Sequence, residues 1–177
     1  PASRNVLVAI ATGTGTVLYV RDAPREEVEF GTAIASVDDF DSDGVTDYLI
    51  SSPRIVVGAT AAKSELRIMS GLSGIELTRI TSDEPWLGAT AFATADISGD
   101  GIRECLVGAP MAAIGDLKGA GTIVLCDFVL GTQRDLMSGG GVASGCGEWL
   151  GETSDVDHDG VNDIAVYVRL SYEGECS

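Results

Sequence analysis

The sequence predicts an all-β chain made of repeated four-stranded antiparallel units. Its 177 residues contain 23 glycines, and Val, Ile, Thr and Ala gather in short runs, which is typical of short strands joined by tight turns. An acidic turn recurs three times, and its first aspartates, Asp39, Asp96 and Asp155, are 57 and 59 residues apart. Four strands in about 58 residues match the size and pattern of a β-propeller blade.

The predicted strands follow one another in chain order. Before the first acidic turn, strand-like runs cover 5–11, 15–21 and 26–29. Around that turn and the next, runs that we expect to form two complete units cover 33–35, 49–53, 66–69 and 76–80, then 89–93, 106–110, 121–126 and 127–130. A last run, 164–168, follows the third turn. The first strand of each complete unit is rich in alanine, which suits strands that converge on a narrow axis.

These runs divide one domain, 1–177, into four parts. We expect a partial blade at 1–29, whole blades at 30–86 and 87–145, and a partial blade at 146–177. Propellers use four to eight blades, and this chain has material for about three, so we expect an incomplete ring. The N-terminal part lacks a first strand and the C-terminal part carries the first two strands of a blade. We therefore expect completion in trans, by strand or blade complementation between copies of the chain, or by an unidentified protein.

The acidic turns have the composition of calcium loops. Oxygen-bearing side chains stand at positions one, three, five and nine, a glycine stands at six, and the carbonyl at seven can add a further oxygen. Carboxylates packed this closely repel one another without a cation. The sequence predicts about three Ca²⁺ ions, held by Asp39, Asp41, Asp43, Val45 and Asp47, by Asp96, Ser98, Asp100, Ile102 and Glu104, and by Asp155, Asp157, Asp159, Val161 and Asp163.

An EF-hand and metal-free turns are the two alternatives to calcium loops within β-hairpins. An EF-hand needs a bidentate Glu at position twelve, where this chain has Ile50, Val107 and Val166, and the flanking runs are strand-like, so we reject it. Plain Asp-Gly turns without metal are the second alternative, and they fit the second loop best, because Ser98 replaces a carboxylate there. His158 stands at position four of the third loop, where we expect its side chain to point away from the ion.

At these residues the chain resembles the FG-GAP repeat family, which includes the blades of integrin α-subunits. The motifs that carry the resemblance are Phe30-Gly31 and Gly108-Ala109-Pro110, the variants Leu87-Gly88, Cys146-Gly147 and Ser51-Ser52-Pro53, and the acidic loops. The resemblance implies four-stranded blades, Ca²⁺ in hairpin loops on one face, and a role in adhesion or protein interaction. The family's ring normally has seven blades.

Charge and composition exclude several functions. A formal net charge of −16 disfavours nucleic acid and anionic lipid as partners, and no apolar run reaches the roughly 18 residues that a membrane helix needs. The one histidine, His158, lies in an acidic loop, so neither a Ser-His-Asp nor a Cys-His arrangement is available elsewhere, and we do not expect an enzyme. Rival interpretations are a carbohydrate-binding propeller and a non-catalytic part of a larger protein. For Trp86 and Trp149, packing between blades is favoured over sugar stacking.

Four cysteines, an even number, fit an oxidising compartment, so we expect a secreted or cell-surface protein. The start at Pro1 without Met fits either a mature secreted product or a piece cut from a longer chain. Two disulfides are the expectation, and four reduced core thiols are the alternative. The predicted pairs are Cys105–Cys126, on consecutive strands, and Cys146–Cys176, which would join the ends of the last partial blade.

Overall fold

The computed structural model describes residues 5–24, 29–57, 61–84 and 86–169. These residues form strands, turns and loops, without a helix in the described ranges. None of them therefore lies in a helix long and apolar enough to cross a membrane. The strands are β1 (Val6–Ala11), β2 (Thr16–Asp22), β3 (Ile34–Ser36), β4 (Tyr48–Val57), β5 (Ala61–Met69), β6 (Glu76–Ser82), β7 (Thr90–Ala93), β8 (Cys105–Ala109), β9 (Thr122–Asp127), β10 (Thr132–Ser138), β11 (Trp149–Glu152) and β12 (Ile164–Tyr167).

The strands pair into antiparallel sheets in the predicted order. The first complete unit is a sheet of order β3-β4-β5-β6, and the second is a sheet whose strands β7, β8, β9 and β10 are also in sequence order. The N-terminal unit is the hairpin β1-β2, and the third unit is the hairpin β11-β12. The predicted N-terminal strand at 26–29 falls mostly outside the described residues, and Glu29 lies in a turn. Ring closure is not seen in the described chain.

One predicted strand is wrong. Residues 128–131 form a turn, and the fourth strand of the second unit is β10, Thr132–Ser138. Asp127 ends β9 and accepts a hydrogen bond from the Leu130 N–H at 2.8 Å, and Gly131 adopts φ +66, so the chain reverses here. Phe128 is buried in the core and does not continue a strand.

Consecutive sheets pack face to face. Leu49 and Leu66 of the first unit share a buried cluster with Val107 and Val124 of the second, whereas Leu106 belongs to a cluster with the third unit. Because side chains alternate between the faces of a strand, the neighbours Leu106 and Val107 serve different clusters. Each fully buried side chain of this size contributes about 1.5–3 kcal/mol, so the two clusters fix the order of the sheets.

The first strands of the three units lie side by side. β3 contacts β7, and β7 contacts β11. Together they line a cleft of about 390 Å³, where Ala35, Ala91 and Gly151 are among the lining residues. Small residues at this place agree with the expectation that the first strands converge.

The N-terminal hairpin packs on the first unit through one face. The Tyr19 hydroxyl donates to the Tyr48 hydroxyl at 3.2 Å or to the Gly71 carbonyl at 3.3 Å, and the Arg21 guanidinium donates to the Ser73 carbonyl. The opposite face of the hairpin exposes apolar side chains, namely Val6, Val8, Ile10 and Val20.

The cysteines of the second unit lie where the sequence predicts, without a bond between them. Cys105 on β8 is directly opposite Cys126 on β9, and both are buried free thiols. Burial raises the pKa of the Cys105 thiol to about 12. Cys146 is also a buried free thiol, and its predicted partner Cys176 lies outside the described residues.

Candidate metal loops

Each acidic loop joins the first and second strands of a unit. The loops 39–47, 96–104 and 155–163 therefore lie at the same end of their three sheets. The antiparallel ladder continues to the base of each loop: the N–H groups of Val37, Thr94 and Thr153 donate to the carbonyls of Asp47, Glu104 and Asp163 at 2.8–2.9 Å. The sheets thus hold the ends of all three loops in the same way.

Two positions of every loop have left-handed backbone. Position six is Gly44, Gly101 or Gly160, with φ between +88 and +94. Position four is also left-handed, at Ser42 (φ 61), Gly99 (φ 80) and His158 (φ 65). Residues other than glycine adopt this region at a cost, so the first and third loops hold a strained residue that the second avoids. The glycine at position six is recognisable in the sequence, whereas the left-handed backbone at position four is not, because the residue type there varies.

The carboxylate at position one folds the loop back on itself. In the first loop, Asp39 Oδ1 accepts from the Asp43 N–H at 3.0 Å and Asp39 Oδ2 accepts from the Gly44 N–H at 2.9 Å. Asp155 accepts the same pair of bonds at 3.2 and 3.0 Å, and Asp96 at 3.1 and 2.9 Å. The fifth position adds an Asx turn, because Asp43, Asp100 and Asp159 each accept from the N–H at position seven at 2.8–2.9 Å.

In the first and third loops, three carboxylates converge. One oxygen from each of Asp39, Asp41 and Asp43 lies within 4.8 Å of the other two, and Asp155, Asp157 and Asp159 form an equivalent group. His158, between Asp157 and Asp159, is not part of that group. The second loop does not form such a group among the described residues, since Ser98 stands at its third position. Carboxylate oxygens at this spacing are the donors that a hard cation prefers.

The carboxylates at position nine hold the start of each loop. Asp47 Oδ2 accepts from the Phe40 N–H at 2.8 Å, and Asp47 Oδ1 accepts from the Gly71 N–H of the β5–β6 turn at 2.8 Å. Glu104 accepts from the Ile97 N–H at 2.6 Å, and Asp163 from the Val156 N–H at 2.7 Å. These residues were predicted as ligands, and the structure adds a backbone-bonding role that the spacing alone did not reveal.

The first loop concentrates negative charge. Desolvation by the surrounding loop, together with the neighbouring charges of Asp43, Asp47 and Asp39, raises the pKa of Asp41. A bound divalent cation would offset this repulsion, because it favours the ionised form of every carboxylate around it.

A salt bridge connects the bases of the first two loops. The Arg103 N–H donates to Asp38 Oδ2 at 2.8 Å, and the Arg103 guanidinium donates to Asp38 Oδ1 at 3.0 Å. Asp38 precedes the first loop, and Arg103 occupies position eight of the second. Neither residue was singled out in the sequence, since the contact joins two units and has no local pattern.

The two tryptophans differ in their surroundings. Trp86 is partly buried with φ 62, whereas Trp149 on β11 is 67% exposed. Packing of Trp149 between sheets, which was favoured from the sequence, does not occur within the described residues.

Comparison with known proteins finds a similarity to an integrin α-subunit. No protein-family model matches the chain. The chain is similar to integrin alpha-V of Gallus gallus. The two are 28% identical over 161 residues, which cover 86% of this chain and 15% of the integrin alpha-V sequence. The chain thus spans a small part of that relative's length, and the similarity agrees in kind with the resemblance carried by the glycine motifs and acidic loops.

Proposed function

We propose that this chain is part of an integrin-like, calcium-binding extracellular scaffold that serves adhesion or protein interaction. The observation that carries the proposal is the convergence of three carboxylates in the first and third loops, at the same end of successive sheets. The similarity to integrin alpha-V supports a cell-surface setting and an adhesion-related role. The partner is another protein, since a net charge of −16 repels nucleic acid.

Oxygen donors favour a hard cation, and their number in a flexible loop favours Ca²⁺ over Mg²⁺. Ca²⁺ takes six to eight oxygen ligands in flexible geometry, and a loop with carboxylates at one, three, five and nine and a carbonyl at seven supplies about that number. Affinity for Ca²⁺ rises with the number of charged ligands, so the second loop, which has Ser98 in place of a carboxylate at position three, is the weakest of the three sites.

The sheets are blades of a propeller. Three features support this arrangement: successive sheets stack face to face, their first strands lie side by side, and these strands line a common cleft. In such an arrangement the loops occupy one surface, where bound ions hold them rigid for a partner.

Calorimetric titration of the whole chain with Ca²⁺ tests the proposal. Three binding events are expected, and the Asp39→Asn and Asp155→Asn variants should each lose one of the two tighter events. Asp116→Asn, which removes an exposed carboxylate outside the loops, is the matched control and should keep all three. A wild-type titration without heat of binding, confirmed by equilibrium dialysis, would contradict the calcium assignment.

A further inference from the structure

A hydrogen bond to a glycine carbonyl joins the first and second units. The Ser51 hydroxyl, on β4, donates to the carbonyl of Gly88, which opens the second unit, at 2.7 Å. The Ser51 hydroxyl oxygen also accepts a hydrogen bond from the Ala33 N–H at 2.9 Å. A Cβ atom on Gly88 would lie 2.7 Å from the Ser51 Cβ, so the approach leaves no room for a side chain. We call this hydroxyl-to-glycine hydrogen bond the clasp.

The second and third units are joined by the same clasp, except that the hydroxyl comes from the first strand of the unit instead of the second. The Thr90 hydroxyl, on β7, donates to the carbonyl of Gly147, which opens the third unit, at 2.8 Å. Thr90 stands six residues before Asp96, as Ala33 stands six before Asp39, and Gly108 takes the place of Ser51. The pair Thr90–Gly108 is directly opposite across the strands.

Both clasps need a small pair of residues at this place. A Cβ on Gly108 would lie 2.0 Å from the Gly147 carbonyl oxygen and 2.5 Å from the Thr90 hydroxyl oxygen. The first unit therefore pairs Ala33 with a serine, and the second pairs a threonine with Gly108. In each, one member supplies the hydroxyl and the other supplies space.

In the third unit, two large aromatic residues occupy the same pair of positions. Trp149 and Tyr167 are directly opposite on β11 and β12, and they are 67% and 48% exposed. Their strand neighbours Leu150 and Val166 pack toward the second unit. Because side chains alternate, Trp149 and Tyr167 point to the other side, where a further sheet would pack.

We infer that Trp149 and Tyr167 prevent a second copy of this chain from docking on the third unit by the clasp. In a second copy the docking glycine would be Gly31, whose N–H donates to the carbonyl of Ser51 as the Gly88 N–H donates to that of Gly108. An indole and a phenol ring fill the space that the two observed clasps keep clear, so the Gly31 carbonyl cannot reach a hydroxyl at the same approach.

Replacing the aromatic pair with the pair of the second unit tests the inference. The double variant Trp149→Thr/Tyr167→Gly is compared with the wild-type chain by sedimentation velocity in Ca²⁺, over a range of protein concentration. We expect the wild type to sediment as a monomer and the double variant to form head-to-tail oligomers. Adding Gly31→Val to the double variant should remove this association, with circular dichroism and the melting temperature confirming that the triple variant folds.

A second experiment tests the effect of the same aromatic pair at the junction between the second and third units. Placing Trp and Tyr in the second unit, as Thr90→Trp/Gly108→Tyr, should separate the second and third units and increase hydrogen exchange in β11 and β12 relative to β4 and β5. If a second copy completed the ring, as the sequence led us to expect, the wild-type chain would self-associate. Sedimentation of the wild type therefore also distinguishes completion by a second copy from exclusion of a second copy. The inference is overturned if the wild type associates through Trp149, or if the double variant associates no more tightly than the wild type.

Discussion

Asp47 holds two parts of the first unit together with one buried carboxylate. It accepts N–H groups from Phe40, at the start of the first loop, and from Gly71, in the β5–β6 turn. Its counterpart Asp163 is only partly buried and accepts from Val156. Position nine therefore has a larger structural role in the first loop than in the third, although the two loops read alike in the sequence.

This difference gives a prediction at the scale of one residue. Asp47→Ala removes the acceptor of the partly buried N–H groups of Phe40 and Gly71, and the full cost for a buried group is about 1–3 kcal/mol. The free energy of unfolding, measured by urea titration in chelator so that ion binding does not contribute, should fall clearly more for Asp47→Ala than for the matched control Asp163→Ala. Equal losses in the two variants would show that the contact with the turn contributes nothing.

Strands and loops show where sequence reasoning succeeds and where it fails. The runs on both sides of the first two acidic loops, and the run after the third, were predicted correctly, because short runs of small and apolar residues and the glycine at position six are local signals. β10 was missed since its seven residues, TQRDLMS, are all exposed and carry no apolar periodicity, while the apolar run after Asp127 imitated a strand. The clasp and the Arg103–Asp38 contact join different units, so no window of sequence contains both partners.

At the scale of the strand pair, the thiols of β8 and β9 are expected to be inert in the native state. Because burial raises the pKa of Cys105 to about 12, the reactive thiolate is scarce at mildly alkaline pH and becomes available on unfolding. Alkylation with iodoacetamide, followed by mass spectrometry, should label Cys105 in urea and leave it unlabelled in buffer. Rapid labelling of the reduced native protein would contradict this.

The disulfide Cys105–Cys126 stays a prediction for protein made in an oxidising compartment. Directly opposite positions on neighbouring strands bring the two Cβ atoms near one another, so the bond is the natural product if oxidation occurs during folding. Peptide mapping under non-reducing conditions checks the pairing, and a crossed pair with Cys146 would refute it.

For the molecule as a whole, the excess of negative charge leads us to predict that stability depends on calcium. Acidic residues number 27 against 11 basic ones, and three of the densest acidic segments lie at one end of adjacent sheets. Three bound Ca²⁺ ions would change the net charge from −16 to about −10, and would do so where repulsion is strongest.

Thermal unfolding in Ca²⁺ and in chelator measures this dependence. Binding to the folded form alone stabilises by about 2.7 kcal/mol per site when free Ca²⁺ is a hundredfold above the dissociation constant, so the melting temperature should rise with Ca²⁺. Sodium chloride at matched ionic strength is the control, since screening alone relieves part of the repulsion between exposed charges. In the triple variant Asp39→Asn/Asp96→Asn/Asp155→Asn, the response to Ca²⁺ should fall to that of the salt control. A wild-type melting temperature that is the same in Ca²⁺ and in chelator would contradict calcium-dependent stability, because ions that bind the folded loops must raise it.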